Sequence, residues 1–377
     1  MKILHLGDLH FGKKLGKLSF SEDQRFISGK IFETIDSRNI DAVMICGDIY
    51  DKSEPSEEAV GMFNDFLVEL KKRNIPVMII AGNHDSAEKL SFGESIFQYE
   101  NIFISPVYDG SVKKVTLKDE FGQVNFYLMP FVKPAHVKNC FPDEKISTYT
   151  DALRIAIEHM SPDFTLRNVI LSHQFVTGAD VSGSEDELSV GGISAVDSSV
   201  YMGFDYAALG HIHGMQAVSG DNIRYCGSPM KFSFNEEKQV KSFTVVELKE
   251  KGNITVEVLP VDMYRDFVTI RGTYDELKHR NENIRQRDIV HAVLLDEDDV
   301  PNAFSNLSVA YPGIVSLNYD NTRTRNTAVI NGGDIDSDIT PSELFAEFFE
   351  LRNGRPMTNE QKEYIDNYIE NIWGENR

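Results

Sequence analysis

Asp41-Ala42-Val43-Met44-Ile45-Cys46-Gly47-Asp48-Ile49-Tyr50-Asp51 is the stretch on which the fold turns. Its first six residues are a short apolar run with no helical period, which predicts a strand buried on both faces. Gly47 then lets the backbone turn sharply and leaves Asp48 at the strand tip. The same device recurs along the chain. Lys2–Gly7 (KILHLG) runs into Asp8-Leu9-His10, and Pro76–Ala81 (PVMIIA) into Gly82-Asn83-His84-Asp85. Asn168–Ser172 (NVILS) ends on His173, and Tyr206–Leu209 (YAAL) on Gly210-His211-Ile212-His213-Gly214. Between the early strands lie helical patterns. Residues 21–36 carry Phe26, Ile27, Ile31, Phe32 and Ile35, and residues 56–72 carry Val60, Phe63, Leu67 and Leu70 on one face. Further strands are expected at 124–129, 242–248 and 254–259. Strand–helix alternation argues for right-handed βαβ units with a more antiparallel second half, and so for a layered α/β sandwich.

Every chemically pointed residue therefore falls just past the carboxyl end of a strand, where open α/β sheets bind ligands. Asp8 and His10 stand two apart, which in extended backbone puts both side chains on one side. The H-x-H pair His211/His213, flanked by glycines, offers two imidazoles from one tight loop. Any single tip reads as an ordinary polar turn; five at successive strand ends do not. The donors are carboxylates, one amide oxygen and imidazoles, without thiolates. That mixture suits Mn²⁺, Fe²⁺, Zn²⁺ or Co²⁺ rather than a structural zinc knot. Two such ions sharing a carboxylate are a common arrangement for hydrolysing phosphate esters, with a histidine outside them to protonate the leaving oxygen.

The chain has 377 residues, 41% hydrophobic and 26% charged, which predicts two to three globular domains and excludes a disordered or collagenous chain. No apolar run reaches the roughly 20 residues of a membrane span. The N-terminus lacks a signal-peptide apolar region, since Asp8 and His10 interrupt it. Cys46, Cys140 and Cys226 form no C-x-x-C pair and fit a reducing cytoplasm, the expected location. The net charge of −21 opposes a purely electrostatic nucleic-acid binder. Its acidic runs, residues 296–299 and Asp334, Asp336 and Asp338, read as solvated loops. Candidate phosphate contacts are Lys13, Lys14 and Lys17, then Lys113, Lys114, Lys231, Arg323 and Arg325.

The pattern restarts at residue 262. Strands are expected at 267–272, 289–296 and 314–319, with helices at 274–283 and 301–308, giving a second small α/β domain over 262–320. Residues 321–340 read as a linker. A C-terminal helical hairpin follows at 341–377. Its helices start at Thr340-Pro341-Ser342-Glu343 and at the capping box Thr358/Gln361. Leu344, Phe345, Phe348 and Phe349 mark the apolar face of one helix. Tyr364, Ile365, Tyr368, Ile369, Ile372 and Trp373 mark that of the other.

The order D-x-H, GD-x-x-D, GNHD, H, GHIH over the first 215 residues resembles the calcineurin-like metallophosphoesterase superfamily. The resemblance implies that Asp8, His10, Asp48 and His213 hold one metal and Asp48, Asn83, His173 and His211 the other, with Asp48 bridging. It implies that His84 is the acid facing the leaving group. Asp51 stands where many members place the carboxylate that orients this histidine; archaeal repair nucleases carry a histidine there. Residues 173–178 (HQFVTG), 182–192 (SGSEDELSVGG), 225–234 (YCGSPMKFSF) and Val245-Val246-Glu247-Leu248 are similar to the SbcD family of bacterial nuclease subunits. That similarity implies residues 1–261 as nuclease domain, 262–320 as DNA-capping domain and 341–377 as the segment binding the coiled-coil base of an SbcC-type ATPase. It further implies a homodimer formed through the nuclease domain and two divalent ions, Mn²⁺ among the candidates. The activity implied is cleavage of DNA, 3′ to 5′ on duplex ends and endonucleolytic on single strands and hairpins, in DNA repair, recombination and replication. ATP binding by the partner would gate access.

Other phosphoesterases share the metal residues, including enzymes acting on cyclic nucleotides or phosphomonoesters. Protein phosphatases usually place Arg after the second Asp of GD-x-x-D; here it is Lys52. A non-catalytic scaffold would have lost metal ligands, and none of the seven is missing.

Overall fold

In a computed structural model the chain divides into two compact units, Met1–Arg265 and Asp266–Arg377. The structure describes residues 1–181, 183, 195–325, 341–353 and 355–374.

Two six-stranded sheets build the larger unit. Across the first, the order is Ile254–Pro260, Ser242–Leu248, Lys2–Leu6, Ala42–Cys46, Val77–Ile80, Ile102–Ile104. The last four run parallel, while Ser242–Leu248 is antiparallel to both neighbours. Across the second, the order is Gln216–Ala217, Ile223–Tyr225, Tyr206–Gly210, Arg167–His173, Gly122–Leu128, Lys113–Asp119. Its middle four are parallel and its edges antiparallel. The expectation of a more antiparallel second half thus holds for the Ser242–Pro260 hairpin but not for residues 122–225.

The sheets face each other across an apolar layer. Ile3, Met44, Met78 and Val246 of one meet Phe126, Leu128, Val169, Leu171 and Ala208 of the other, all fully buried. Both faces of the central strands are covered, which is why they read as continuous apolar runs rather than alternating ones. Outside the second sheet, Leu153 and Ala156 of helix Tyr149–Met160 pack with Ile170, Leu209 and Tyr225. On helix Ser21–Arg38, Ile27, Ile31 and Ile35 are buried as their spacing predicts. On helix Glu57–Lys72 the buried face is Ala59, Met62, Phe63, Phe66 and Leu70. Val60, expected inside, is exposed, because the stripe runs one residue off the face drawn from the sequence. Residues 261–265 belong to this unit. The Val261 amide donates to the Lys241 carbonyl, and Arg265 pairs with Asp23.

The smaller unit holds a parallel sheet ordered Phe267–Gly272, Ile289–Leu294, Ile314–Tyr319. Ile270, Val290, Ala292 and Leu294 pack against Leu307 of helix Ala303–Ala310. The helix expected over 274–283 covers only Tyr274–Leu277, after which polar residues leave a single buried side chain, Ile284, to anchor the loop. In the expected linker, Thr322–Arg325 forms one helical turn, while 326–340 and its acidic residues lie outside the described residues. Helices Pro341–Asn353 and Asn359–Gly374 follow. The second begins on the expected box, with Thr358 N–H donating to Gln361 Oε1 and Gln361 N–H to Thr358 Oγ1. Among the described residues, no helix is long and apolar enough to cross a membrane.

Candidate metal centre

The parallel strands Lys2–Leu6, Ala42–Cys46 and Val77–Ile80 end side by side, so the tips following them converge. Backbone bonds lace the first two together: Asp8 N–H donates to Gly47 O (3.0 Å) and His10 N–H to Asp48 O (2.9 Å). The buried Gln24 amide holds the His10 carbonyl at 2.6 Å from helix Ser21–Arg38. Asp8 and His10 are not extended, as their spacing suggested. Both lie in the left-handed region, φ 53° and 44°, as do Asp48 at 50° and His211 at 100°. Four strained non-glycine residues in one cluster mark a functional site, since each costs on the order of 1–3 kcal/mol that the surrounding fold must offset.

Gly47 (φ +86°) and Gly82 are required by proximity: a Cβ at the first would strike the His173 ring, and at the second the Asp48 carboxylate. Asp85, quoted in the sequence but given no role, cross-links two loops. Its carboxylate accepts from the amides of Ile49 (3.1 Å), Tyr50 (2.9 Å) and Gly82 (2.9 Å). Burial pushes its carboxyl up to about 6, the Asp48 charge adding to the shift.

Asp48 sits at the middle of the cluster and is almost wholly buried. Its Oδ1 accepts from the His84 amide at 2.9 Å. Its Oδ2 faces His173 Nε2 at 3.3 Å, His10 Nε2 at 3.8 Å and His84 Nε2 at 3.9 Å. The other His173 nitrogen donates to the Cys46 carbonyl at 2.7 Å, which fixes that ring. Asn83 Oδ1 lies 3.0 Å from His173 Nε2 and 2.9 Å from His211 Nδ1. The His211 amide donates to Asp8 Oδ1 at 3.0 Å, and His10 Nε2 stands 3.1 Å from His213 Nε2. All seven residues expected at the metals are therefore gathered in one place.

Among the described residues, ligand atoms lie within 4.8 Å of one another in three sets: Asp8/His10/His213, Asp8/Asp48/His173 and His10/Asp51/His84. The first lies within one expected ligand set, while the second joins Asp8 of that set to Asp48 and His173 of the other. The third also brings His84 and Asp51, read from the sequence as catalytic, within ligand reach. Asp51 holds His84, but through its backbone carbonyl, to which His84 Nδ1 donates at 2.9 Å. The Asp51 carboxylate turns instead to Lys13 Nζ, 2.6 Å away. The expectation that this carboxylate orients His84 is corrected accordingly, and Lys13 is committed to an ion pair.

The cluster attracts positive charge. Burial raises the Asp8 carboxyl to about 6, against the opposing pull of His173 and His213. Burial would lower His173, but the Asp48 carboxylate, together with Asp8 and the Cys46 carbonyl, outweighs it and raises the ring to about 9. His10, fully buried, is driven well below its usual value and keeps Nδ1 without a hydrogen-bond partner among the described residues. Two buried carboxylates, an amide oxygen and four imidazoles facing one small volume fit divalent cations.

One support was not legible in the sequence. His213 Nδ1 faces Glu236 Oε1 at 3.2 Å, and Glu236 is fully buried beside Lys241, Nζ to Oε2 2.5 Å. Burial would raise the Glu236 carboxyl, yet the His213 hydrogen bond and the Lys241 charge hold it at about 2. An ionised carboxylate on one imidazole nitrogen turns the other toward a metal and increases its basicity. Lys241 also donates to the His213 carbonyl at 2.9 Å and Ser228 Oγ at 2.8 Å, so the Tyr225–Phe234 motif backs the GHIHG loop. Of the lysines offered as phosphate contacts, Lys231 is buried on the Glu237 carbonyl, and Lys113 pairs with Glu94. Lys14, Lys17 and Lys114 are exposed, Arg325 pairs with Asp320, and the Arg323 side chain lies outside the described atoms. Residues 182 and 184–192 of the 182–192 motif also fall outside the described residues.

Residues 1–215 match the family model of calcineurin-like phosphoesterases. Residues 263–353 match that of the type 5 capsule protein repressor C-terminal domain. The D subunit of the nuclease SbcCD from Staphylococcus epidermidis is 30% identical over 324 residues, 84% of this chain and 85% of that protein. Among solved structures, a Thermus thermophilus protein aligns with TM-score 0.41 at 10% identity, over 68% of this chain and 98% of that one. A dimetal phosphatase from Danio rerio aligns with TM-score 0.39 at 10% identity, over 70% and 97%.

The Glu236 geometry generates one expectation. Glu236→Gln keeps shape but loses charge, and should weaken Mn²⁺ binding roughly 10- to 100-fold in a calorimetric titration. Unchanged affinity in a folded variant would reduce Glu236 to packing.

Proposed function

We propose that this chain, which belongs to the calcineurin-like phosphoesterase family, is a two-metal DNA nuclease working as the SbcD-type partner of an SbcC-type ATPase. The observation that carries the reading is the Asp48 carboxylate, faced by imidazoles from separate loops and built into a chain similar to a nuclease subunit over most of its length. Asp8, His10, Asp48 and His213 would hold one divalent ion, and Asp48, Asn83, His173 and His211 the other, with Mn²⁺ as the expected metal. Bound there, the ions supply the positive charge that neutralises phosphoryl oxygens and acidifies a water.

The chain's own groups do the rest. The Asp51 carbonyl fixes His84 Nδ1, so Nε2 is free to carry a proton to the oxygen leaving phosphorus as the P–O bond breaks. His84 keeps more solvent exposure than His10 or His173, as a group that meets substrate must. Cleavage is read as 3′ to 5′ on duplex ends and endonucleolytic on single strands and hairpins, in a cytoplasmic protein serving DNA repair, recombination and replication. Phe92, Ile96 and Tyr99 are exposed on and beside the short helix Glu94–Phe97, apolar surface that supports a homodimer through the nuclease domain.

The tail supports partner docking. Leu344, Phe345, Phe348, Tyr364 and Tyr368 are exposed, and a cavity of about 310 Å³ opens among Phe345, Phe349, Met357, Tyr364 and Ile365. Such a groove suits the apolar face of a helix.

Two measurements test the reading. With Mn²⁺, wild type should degrade blunt and hairpin DNA while sparing a cyclic dinucleotide, and His84→Ala should slow this by roughly 10²- to 10⁴-fold with metal content intact. Preferred cleavage of the cyclic dinucleotide would favour a small-molecule phosphodiesterase, and metal loss in the variant would move His84 among the ligands. Separately, removing residues 341–377 should abolish capture of the ATPase in a pull-down; capture at wild-type strength assigns the hairpin a structural role.

A further inference from the structure

A cavity of about 580 Å³ opens beside the metal centre, with Asn83 in its wall. Phe131 forms another part of that wall. Its amide donates to the Ala81 carbonyl at 2.9 Å, and its ring meets the His173 ring edge-on, centroids 6.3 Å apart at 86°. The Lys133 ammonium lies over the Phe131 ring, 5.9 Å from its centroid, and Lys133 also lines the cavity. Gln174 Nε2 donates to the Val132 carbonyl at 3.0 Å, so the Phe131–Lys133 segment is held rigidly against the strand that ends in His173. Tyr108 also lines the cavity, and its buried hydroxyl has no hydrogen-bond partner among the described residues. Of the carboxylates present, Asp85 is taken up by three backbone amides, and Glu88 at the rim accepts from Ser86 Oγ at 3.0 Å.

The requirements of this space are specific. A partly exposed aromatic ring suits a flat partner, a nearby ammonium asks for an anion, and Asn83 would place both next to a scissile phosphate held at the metals. A nucleotide has this combination: a π-face to stack, a phosphate attached, and a size within the volume. Stacking of this kind accepts any base, because every base has such a face. The apolar Val107, Pro130 and Ala87, which also line the cavity, would help to exclude water from the stacked base.

We propose that this cavity receives the nucleobase adjoining the scissile phosphate, stacked on Phe131 with its own phosphate near Lys133. The inference rests on the nuclease reading above and deepens it. A base in this cavity cannot remain paired, so unpaired or frayed nucleotides lose less on entering than those in an intact duplex.

The test compares two DNA strands, identical except that one carries an abasic tetrahydrofuran residue beside the cleaved phosphate. Wild type should process the abasic strand roughly 5- to 100-fold more slowly in kcat/KM, the range of one base–aromatic stack. Phe131→Ala should bring that ratio close to one, and Phe131→Trp should restore it. Should the alanine variant fail to fold, Phe131→Leu, which keeps apolar bulk without a ring, is read in the same way. DNA cleavage by wild type with no penalty for the abasic residue, or with the same penalty in the ringless variant, overturns the subsite and leaves the nuclease reading standing. Absence of cleavage of either strand by metal-loaded wild type removes both.

Discussion

A carboxylate buried among imidazoles governs this structure. Asp48 has almost no access to water, so its charge must be met by the groups around it. The fold meets it by bringing His173 from the second sheet to within 3.3 Å and the His84 amide to 2.9 Å. Much else follows from holding that position. The glycines on either side of the cluster leave room for the approach, and Gln24 on the His10 carbonyl and Asp85 on the amides after Asp48 brace the left-handed backbone there. Two apolar sheets supply the rigid platform, with a core of fully buried Ile, Val, Leu and Met side chains behind the loops.

Much of this was legible because the central strands are buried on both faces. DAVMIC and PVMIIA cannot be mistaken for amphipathic helices, and the polar tip after each stands out against them. Edge elements were harder. Strand Lys113–Asp119 has one buried residue, Val115, in a run rich in lysine, and its pattern does not rise above that of a loop. The supporting residues left no trace. Glu236 and Lys241 belong to no periodic pattern, and they become a pair only after the chain returns beneath His213. The conformations of Asp8 and His10 were misjudged for a related reason: strand alternation stops at Leu6, and the loop beyond follows the partner loop it bonds to, not the pleat.

Charge explains a tension that composition alone raised. A net charge of −21 opposes nucleic-acid binding by charge alone, yet many acidic groups are engaged in local structure. Asp296 accepts the Tyr274 amide, Glu297 caps the turn at Thr322, and Asp119 pairs with Arg167. Near the metal centre, Lys13 is paired with Asp51, and among the described residues Lys133 is a cation beside the cavity with no ion pair to a carboxylate. Such a surface would bind nucleic acid weakly by charge alone and would rely on metal, on stacking and on a partner.

The central claim is that one aspartate joins two metal positions. Mn²⁺ titrated into the apo-protein, followed by electron paramagnetic resonance and by metal analysis of the loaded chain, tests it most directly. The account predicts two ions per chain with the magnetic coupling of a bridged pair, and loss of that coupling with at most one weakly held ion in Asp48→Ala. Two uncoupled ions in wild type, or two tightly held ions in the variant, would contradict it.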